Sequence, residues 1–560
     1  MNTALLLLGS VLYFALAFAF YGKFLNRVFG VDGTRACPSL SRRDGVDYEP
    51  ANPAVLFGHH FASIAGAGPI VGPVLAAKYG WMPAILWILL GCVFIGAMHD
   101  FAALFLSVRN EGRSIAYVIE KEVGYLGRQL FLFFCLATLV LVVTVFTDQV
   151  AGSFLKNPGV ATASVLFIFM APIFGILLKQ KILGLLEGSL IFVPLTFLFI
   201  WLGTLAPLDL PKLLGITSSQ ARIIWIVALL YYAFIASTIP VWFLLQPRDY
   251  LNSFLLYAMM ILGIGGVVAA RVPLQLPPLH LTGNARFVPD VLPLLFVTIA
   301  CGACSGFHAL VASGTSSKQI AKETHIRPVG YAGMLLEGVL AVIAVCSVGY
   351  LTSDQFADLA KSGASAPIMF AEGVGHFAEA IGIPHQLGAT FIALAISAFI
   401  LTSLDTATRL ARFLWQEMIL PRHTEENAPA TAEGKCPCPW RTLLSNRWLS
   451  TTVIVLLAFG LAISGESTRI WPVFGSANQL LAALTLLGVT LFLMRNKKPW
   501  AFAFLPMIFM LVISIWALLN LISSNLHQNL PLCFIGVILL ILAIILLVLA
   551  GKAITRARKA

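Results

Sequence analysis

The stretch GHHFASIAGAGPIVGP, Gly58 to Pro73, holds four glycines, two prolines and two histidines. It lies in an apolar run at 53–77 that is long enough to cross a bilayer core. A plain lipid-facing helix would carry Leu and Val at those places. Gly and Pro free backbone groups from the helical ladder, and within a membrane such groups are tolerated only beside protein or a water-filled cavity. The stretch therefore reads as a helix interrupted near its middle, next to an intramembrane site.

Working outward, comparable apolar runs recur at 3–20, 81–106, 130–153, 160–178, 182–204, 222–246, 250–270, 291–313, 328–350, 388–407, 448–465, 470–495, 500–521 and 531–551, which with 53–77 makes fifteen. Across the 560 residues, 59% are hydrophobic and only 11% charged. Lipid cannot hydrogen-bond a bare backbone, so each run is expected to be a helix; the short alternating segments of a barrel are missing. The expected fold is an all-α polytopic membrane protein with about 15 transmembrane helices.

The formal net charge of +11 does not point to nucleic acid, because Lys and Arg sit in the short connections between apolar runs. With the N-terminus outside, the cytoplasmic connections hold 28 of the 36 Lys and Arg residues, the asymmetry that sets orientation in an inner membrane. The C-terminus is then cytoplasmic. Positive charge follows the first run, at Lys23, Arg27, Arg35, Arg42 and Arg43, and none precedes it, so that run is expected to be a retained helix. Two outer connections, 271–290 and 351–387, are long and read as caps over an outer vestibule; the polar inner stretch 408–447 reads as a flexible connector.

A second interruption is expected at STIPVW, Ser237 to Trp242, in the seventh run. Two discontinuous helices in corresponding positions of two halves mark a transporter binding site. Five spans separate them, an odd number that inverts the second copy. The expected organisation is an additional helix and loop at 1–52, a five-plus-five inverted-repeat core at 53–407 (53–204 and 222–407) whose first helices are discontinuous, the loop 408–447, and accessory helices at 448–560.

Gly58 to Pro83, GHHFASIAGAGPIVGPVLAAKYGWMP, resembles the signature of the carbon starvation protein A family. So do CGACSGFHALVASGTSSKQIAKE (Cys301 to Glu323), SLDTATRLARFLWQE (Ser403 to Glu417) and WPVFGSANQLLAAL (Trp471 to Leu484), in order over most of the chain. The resemblance implies uptake of pyruvate or peptides, driven by protons, and a core related to the amino acid, polyamine and organocation transporters.

At the first break, Ala65, Gly66 and Gly68 would present amide donors at a half-helix N-terminus to an anionic substrate, with Ser237 and Thr238 supplying the second break. The plainer alternative is that the glycines allow close helix packing. His59 and His60 precede the opening and are candidates for a coupling proton. Adjacent residues point about 100° apart on a helix, so one is expected to face the site and the other a neighbouring helix. Ser305, His308, Ser313, Thr315 and Ser316 cluster on the ninth run; hydroxyls there contribute to a sodium site in related transporters, and a proton-coupled protein would use the same place for a basic group or a packed polar cluster. Glu337, inside the tenth run, reads equally as a proton carrier or as a protonated, hydrogen-bonded carboxyl.

Asp100, Asp148 and Glu187 are expected near span ends, beside water or Arg partners. Asp405 and Arg409 are one turn apart and are expected to form an i,i+4 ion pair that helps gate the inner side. Cys37, Cys436 and Cys438 all fall on the cytoplasmic side, where with His423 they are candidate ligands for a structural Zn²⁺; reduced free thiols are the ordinary alternative. No cofactor is required, and a carrier rather than an enzyme is expected. The rival class is a membrane redox enzyme with haem held by His59, His60, His99 or His308, although neither C-x-x-C-H nor H-E-x-x-H occurs.

Overall fold

The computed structural model describes residues 2–281, 291–362, 364–419, 439–463, 467–526 and 529–559. Thirteen helices in it are long and apolar enough to cross a membrane; Pro53–Ile64 with Gly68–Tyr79 forms a further, bent span, and the shorter apolar helix Arg447–Ile463 lies between them and the C-terminus. Numbered in order, these are span 1 (Thr3–Phe29), 2 (the bent pair), 3 (Trp81–Arg109), 4 (Tyr125–Lys156), 5 (Pro158–Lys179), 6 (Leu185–Leu205), 7 (Ser218–Thr238), 8 (Leu245–Ala270), 9 (Leu292–Lys318), 10 (Glu323–Gly349), 11 (His385–Ile419), 12 (Arg447–Ile463), 13 (Ile470–Arg495), 14 (Ala501–Asn525) and 15 (Leu532–Thr555). Each expected run has a helix, and the protein is a multi-pass membrane protein. Large apolar side chains such as Leu5, Leu12, Phe20, Leu186, Leu190 and Trp201 are exposed. In water that would be a liability, but hydrocarbon is their proper solvent.

Span 2 starts where Asn52 caps it by accepting from the Ala54 N–H, with Pro53 in the first turn. It bends by 41° between its halves. Ala65 leaves the helical region (φ −77°, ψ 55°), and Pro69 opens the next half without a donor to lose. Spans 8, 9, 10 and 11 enclose this broken helix, and spans 4 and 11 lie along one another beside it.

The second interruption is not where the sequence placed it. Span 7 runs unbroken to Thr238, after which Ile239 is extended (φ −83°, ψ 159°), as a residue ahead of proline tends to be. Pro240 cannot continue the ladder, and span 8 begins afresh at Leu245. The stretch Ser237 to Trp242 thus lies at the end of one helix and in the connection to the next instead of breaking one. The break belongs to span 9, where Cys304 and Ser305 are extended between helices Leu292–Ala303 and Gly306–Gly314. The five-span spacing between breaks is lost with this correction.

Three connections differ too. The expected outer connection 351–387 carries helices Ser353–Lys361 and Ala366–Glu379, the second packed against spans 8, 10 and 11. At Gly373 a Cβ would come within 1.8 Å of the Ser347 carbonyl oxygen, so only glycine permits that approach. Span 11 continues twelve residues beyond its expected end, to Ile419, taking Thr408 to Ile419 out of the polar connector. Residues 31–52 form a folded strap: the Ser39 hydroxyl donates to Ile320, the Ala51 N–H to Gln319, and the Val241 N–H to Val46.

Candidate proton and substrate site

His59 and His60 are both fully buried, and they diverge as a helix requires. His59 Nδ1 is hydrogen-bonded to Asp249 Oδ2 at 2.6 Å, toward span 8. His60 Nδ1 is hydrogen-bonded to Ser316 Oγ at 2.7 Å, toward the end of span 9. The two histidines thus bond to different helices, His59 within an ionised cluster and His60 to a serine hydroxyl.

The first cluster is built on the opening turn of span 8. Arg248 donates from Nη2 to Asp249 Oδ1 at 2.8 Å. Its Nη1 donates to Asp405 Oδ2 of span 11 and to the Tyr232 hydroxyl of span 7. Tyr232 itself donates to Asp405 Oδ2 at 2.7 Å. The Arg248, Asp249 and Asp405 side chains are at most 2% exposed. Asp405 therefore does not pair with Arg409, against expectation. Tertiary packing turns it toward spans 7 and 8.

Arg409 has another task. It donates to Asp47 of the strap at 2.9 Å and to the Ala236 and Ile239 carbonyls at the end of span 7. A guanidinium on carbonyls at a helix C-terminus satisfies acceptors the helix cannot and complements its dipole. Burial alone would raise the Asp47 carboxyl, but Arg412, Arg409 and Lys318 hold it below its ordinary value. Arg409 thus ties the strap to the end of span 7.

The second cluster joins spans 3, 9 and 10. Asp100, expected near water at a span end, is buried: Oδ1 is bonded to His99 Nδ1 at 2.8 Å and Oδ2 to His308 Nδ1 at 2.9 Å. His308 Nε2 stands 3.3 Å from Glu337 Oε2. Neither Glu337 oxygen has a hydrogen-bond partner among the described residues. Of the remaining acidic pair, Asp148 is bonded to Arg222 and Glu187 accepts from the Gly184 N–H at its own helix start.

At the breaks themselves the glycines pack closely. A Cβ on Gly66 would meet Ser403 Oγ at 2.8 Å, and one on Gly68 would meet Cys301 Cβ at 2.2 Å. Ser403 donates to the Ser63 carbonyl, a backbone acceptor near the Ala65 bend. The second half of span 9 is capped from another helix: Asn478 of span 13 accepts from the Phe307 N–H at 2.8 Å and donates to Ser305 Oγ at 3.0 Å. Its presence in the WPVFGSANQLLAAL stretch was the available signal. Arg248 and Asp249 carry no such signal in the sequence, falling in the short connection ahead of the apolar run at 250–270.

Ser313 donates to the Ala309 carbonyl and accepts from the Ile115 N–H, while Thr315 Oγ1 is buried without a partner among the described residues. Ser237 Oγ is buried and likewise unpartnered, and Thr238 donates to carbonyls of its own last turn. Cys37 is buried, and burial together with nearby Glu323 pushes its thiol up to about 11, which disfavours the thiolate that zinc requires. Cys436, Cys438 and His423 lie outside the described residues. A cavity of about 430 Å³ opens beside the strap, lined by Glu49, Lys179, Trp242, Gln246 and Tyr250 among others.

A family model described as carbon starvation protein CstA matches residues 2–368 and 359–517. The chain belongs to that family. It is 32% identical over 578 residues to the peptide transporter CstA of Helicobacter pylori, covering 92% of this chain and 81% of the relative. To the pyruvate/proton symporter BtsT of Escherichia coli it is 31% identical over 602 residues, covering 93% and 82%. Among solved structures, a manganese transporter from Eremococcus coleocola superposes with a TM-score of 0.52 at 12% identity, over 93% of this chain and 99% of that one. That likeness places the chain in a membrane-transporter fold. Nothing in these relatives supports the haem redox reading.

Proposed function

We propose that the protein is a secondary transporter of a bacterial inner membrane, importing a pyruvate-like small carboxylate or a short peptide together with a proton by alternating access. The observation that carries this reading is the pair of buried titratable clusters around the interrupted span 2, one joining its His59 to Asp249, Arg248 and Asp405, the other joining Asp100, His308 and Glu337. Buried ionisable groups in a membrane are costly, and they concentrate where ions and substrates pass. The relatives named as a peptide transporter and a pyruvate/proton symporter support both substrate classes and favour a proton over sodium.

The charge asymmetry of the connections supports an N-terminus outside and a C-terminus in the cytoplasm. The strap pinned to Arg409 then closes the cytoplasmic side, and its release is the inward opening. The protein acts as a carrier and makes or breaks no covalent bond in its substrate. Uptake of pyruvate or of dialanine into proteoliposomes, with an imposed pH gradient, tests the reading. Accumulation is expected with the interior alkaline; equal uptake after the gradient is abolished would reject proton coupling. A thermal-shift screen of monocarboxylates, amino acids and dipeptides separates the substrate classes.

A further inference from the structure

Arg248 is a buried guanidinium that holds two acidic partners of different mobility. Asp249 is its chain neighbour on span 8, touches two of its nitrogens at 2.8 Å and 3.2 Å, and is fixed from behind by His59. Asp405 is on another helix, and the Arg248–Asp405 bond is the link across spans 8 and 11 in this cluster. If those spans part, Asp249 must travel with Arg248 and Asp405 must leave. Asp405 Oδ1 and His59 Nε2 are buried polar atoms without partners among the described residues. The cluster is therefore not a closed structural network.

Leaving is expensive. Parting a buried ion pair while both charges remain leaves each uncompensated in a dry interior. Two events together remove that cost: a proton neutralises Asp405, and another carboxylate takes its place on Arg248. Resting on the transporter reading, we infer that Arg248 is the carboxylate-binding residue of this protein, and that Asp405 and the substrate carboxylate compete for it. The proton adds to Asp405 as an O–H bond, the substrate anion replaces it on the guanidinium, and both depart when Asp405 ionises and returns. The other groups facing the pair are Tyr232, Asp249, His59 behind Asp249, and Arg409 one turn along span 11, itself held by Asp47.

The exchange fixes a stoichiometry. One proton enters for each carboxylate, so a monocarboxylate such as pyruvate crosses electroneutrally. A zwitterionic dipeptide, bound through its C-terminal carboxylate, carries one net positive charge. A potassium diffusion potential should leave pyruvate accumulation unchanged and should drive dialanine accumulation, which tells the two carboxylate sources apart.

The test is binding of radiolabelled pyruvate and dialanine to the full-length protein in nanodiscs between pH 5.5 and 8.5, with uptake in proteoliposomes. In a strict competition, wild-type affinity falls about tenfold per pH unit once Asp405 is ionised. Asp405→Asn should flatten that slope and abolish accumulation driven by the pH gradient; Asp405→Glu should keep the slope. Arg248→Gln should lose binding at every pH. Because Arg248→Gln leaves two carboxylates bare, the double variant Arg248→Gln with Asp405→Asn is made alongside it, and is expected to fold and still not bind. A wild-type slope in Asp405→Asn, or carboxylate binding by the folded double variant, overturns the inference and leaves the transporter reading standing. Failure of the wild type to bind or accumulate either probe overturns the transporter reading, and the inference with it.

Discussion

Gly68→Ala places a methyl group where the second half of span 2 crosses span 9. Its Cβ would lie 2.2 Å from Cys301 Cβ and 2.5 Å from Cys301 Sγ, whereas carbon atoms pack comfortably at about 3.5–4.0 Å. The helices would have to separate by more than 1 Å, or the break would have to re-form, since Cys301 is held on a backbone and cannot swing its Cβ aside. Overpacking of this kind costs about 1–3 kcal/mol, and a contact this short belongs at the upper end. Cys301→Gly removes the opposing atoms. Alone it is destabilising, through lost packing and about 1 kcal/mol of helix propensity, but combined with Gly68→Ala it should recover most of the loss. The assay is thermal unfolding of the detergent-solubilised protein for the wild type, both single variants and the double, analysed as a double-mutant cycle. A favourable coupling of about 2 kcal/mol is expected. If Gly68→Ala were as stable as the wild type, or the double variant only as stable as the two losses summed, the close packing of spans 2 and 9 at Gly68 would be refuted.

His60→Ala removes the hydrogen bond to Ser316 and a group standing between the two clusters; uptake driven by a pH gradient should fall about tenfold, roughly what one buried hydrogen bond of ~1.4 kcal/mol is worth, and unchanged uptake would exclude His60 from coupling. Asp47→Ala leaves Arg409 without its carboxylate and loosens the strap by about 1–2 kcal/mol. Alkylation of the buried Cys37 in that strap, followed by mass spectrometry, should then accelerate about tenfold; an unaltered rate would show that the strap is held elsewhere. The Glu49 carboxyl is held below its ordinary value by its bond to Arg43 and, despite burial, by Lys179. Being lowered on folding, it contributes stability that is fully present above its unfolded value of 4.5 and lost as pH falls through its lower folded value. The stability gap between wild type and Glu49→Gln should thus be constant from pH 7 to about 5 and shrink below that; a gap that widened on acidification would reverse the assignment.

Hydropathy alone located every one of the fifteen expected runs, because a helix in lipid must be long, apolar and internally hydrogen-bonded whatever its neighbours are. It also located the Ala65 bend, since Gly66, Gly68 and Pro69 are local statements about a backbone. The second break was misassigned for the same reason: Pro240 is a strong local signal, and only the chain's path shows that it ends span 7. The break at Cys304 and Ser305 is marked by no proline and is stabilised from span 13 by Asn478. Charged partners were least legible. Asp405 and Arg409 have the spacing of an ion pair, yet Arg248 lies 157 positions from Asp405 and Asp47 lies 362 from Arg409. Composition and periodicity determine that a segment spans the membrane and where its backbone is weak. Which buried charge meets which is decided by helix packing, since an uncompensated charge in a dry interior takes whatever partner the fold brings within reach.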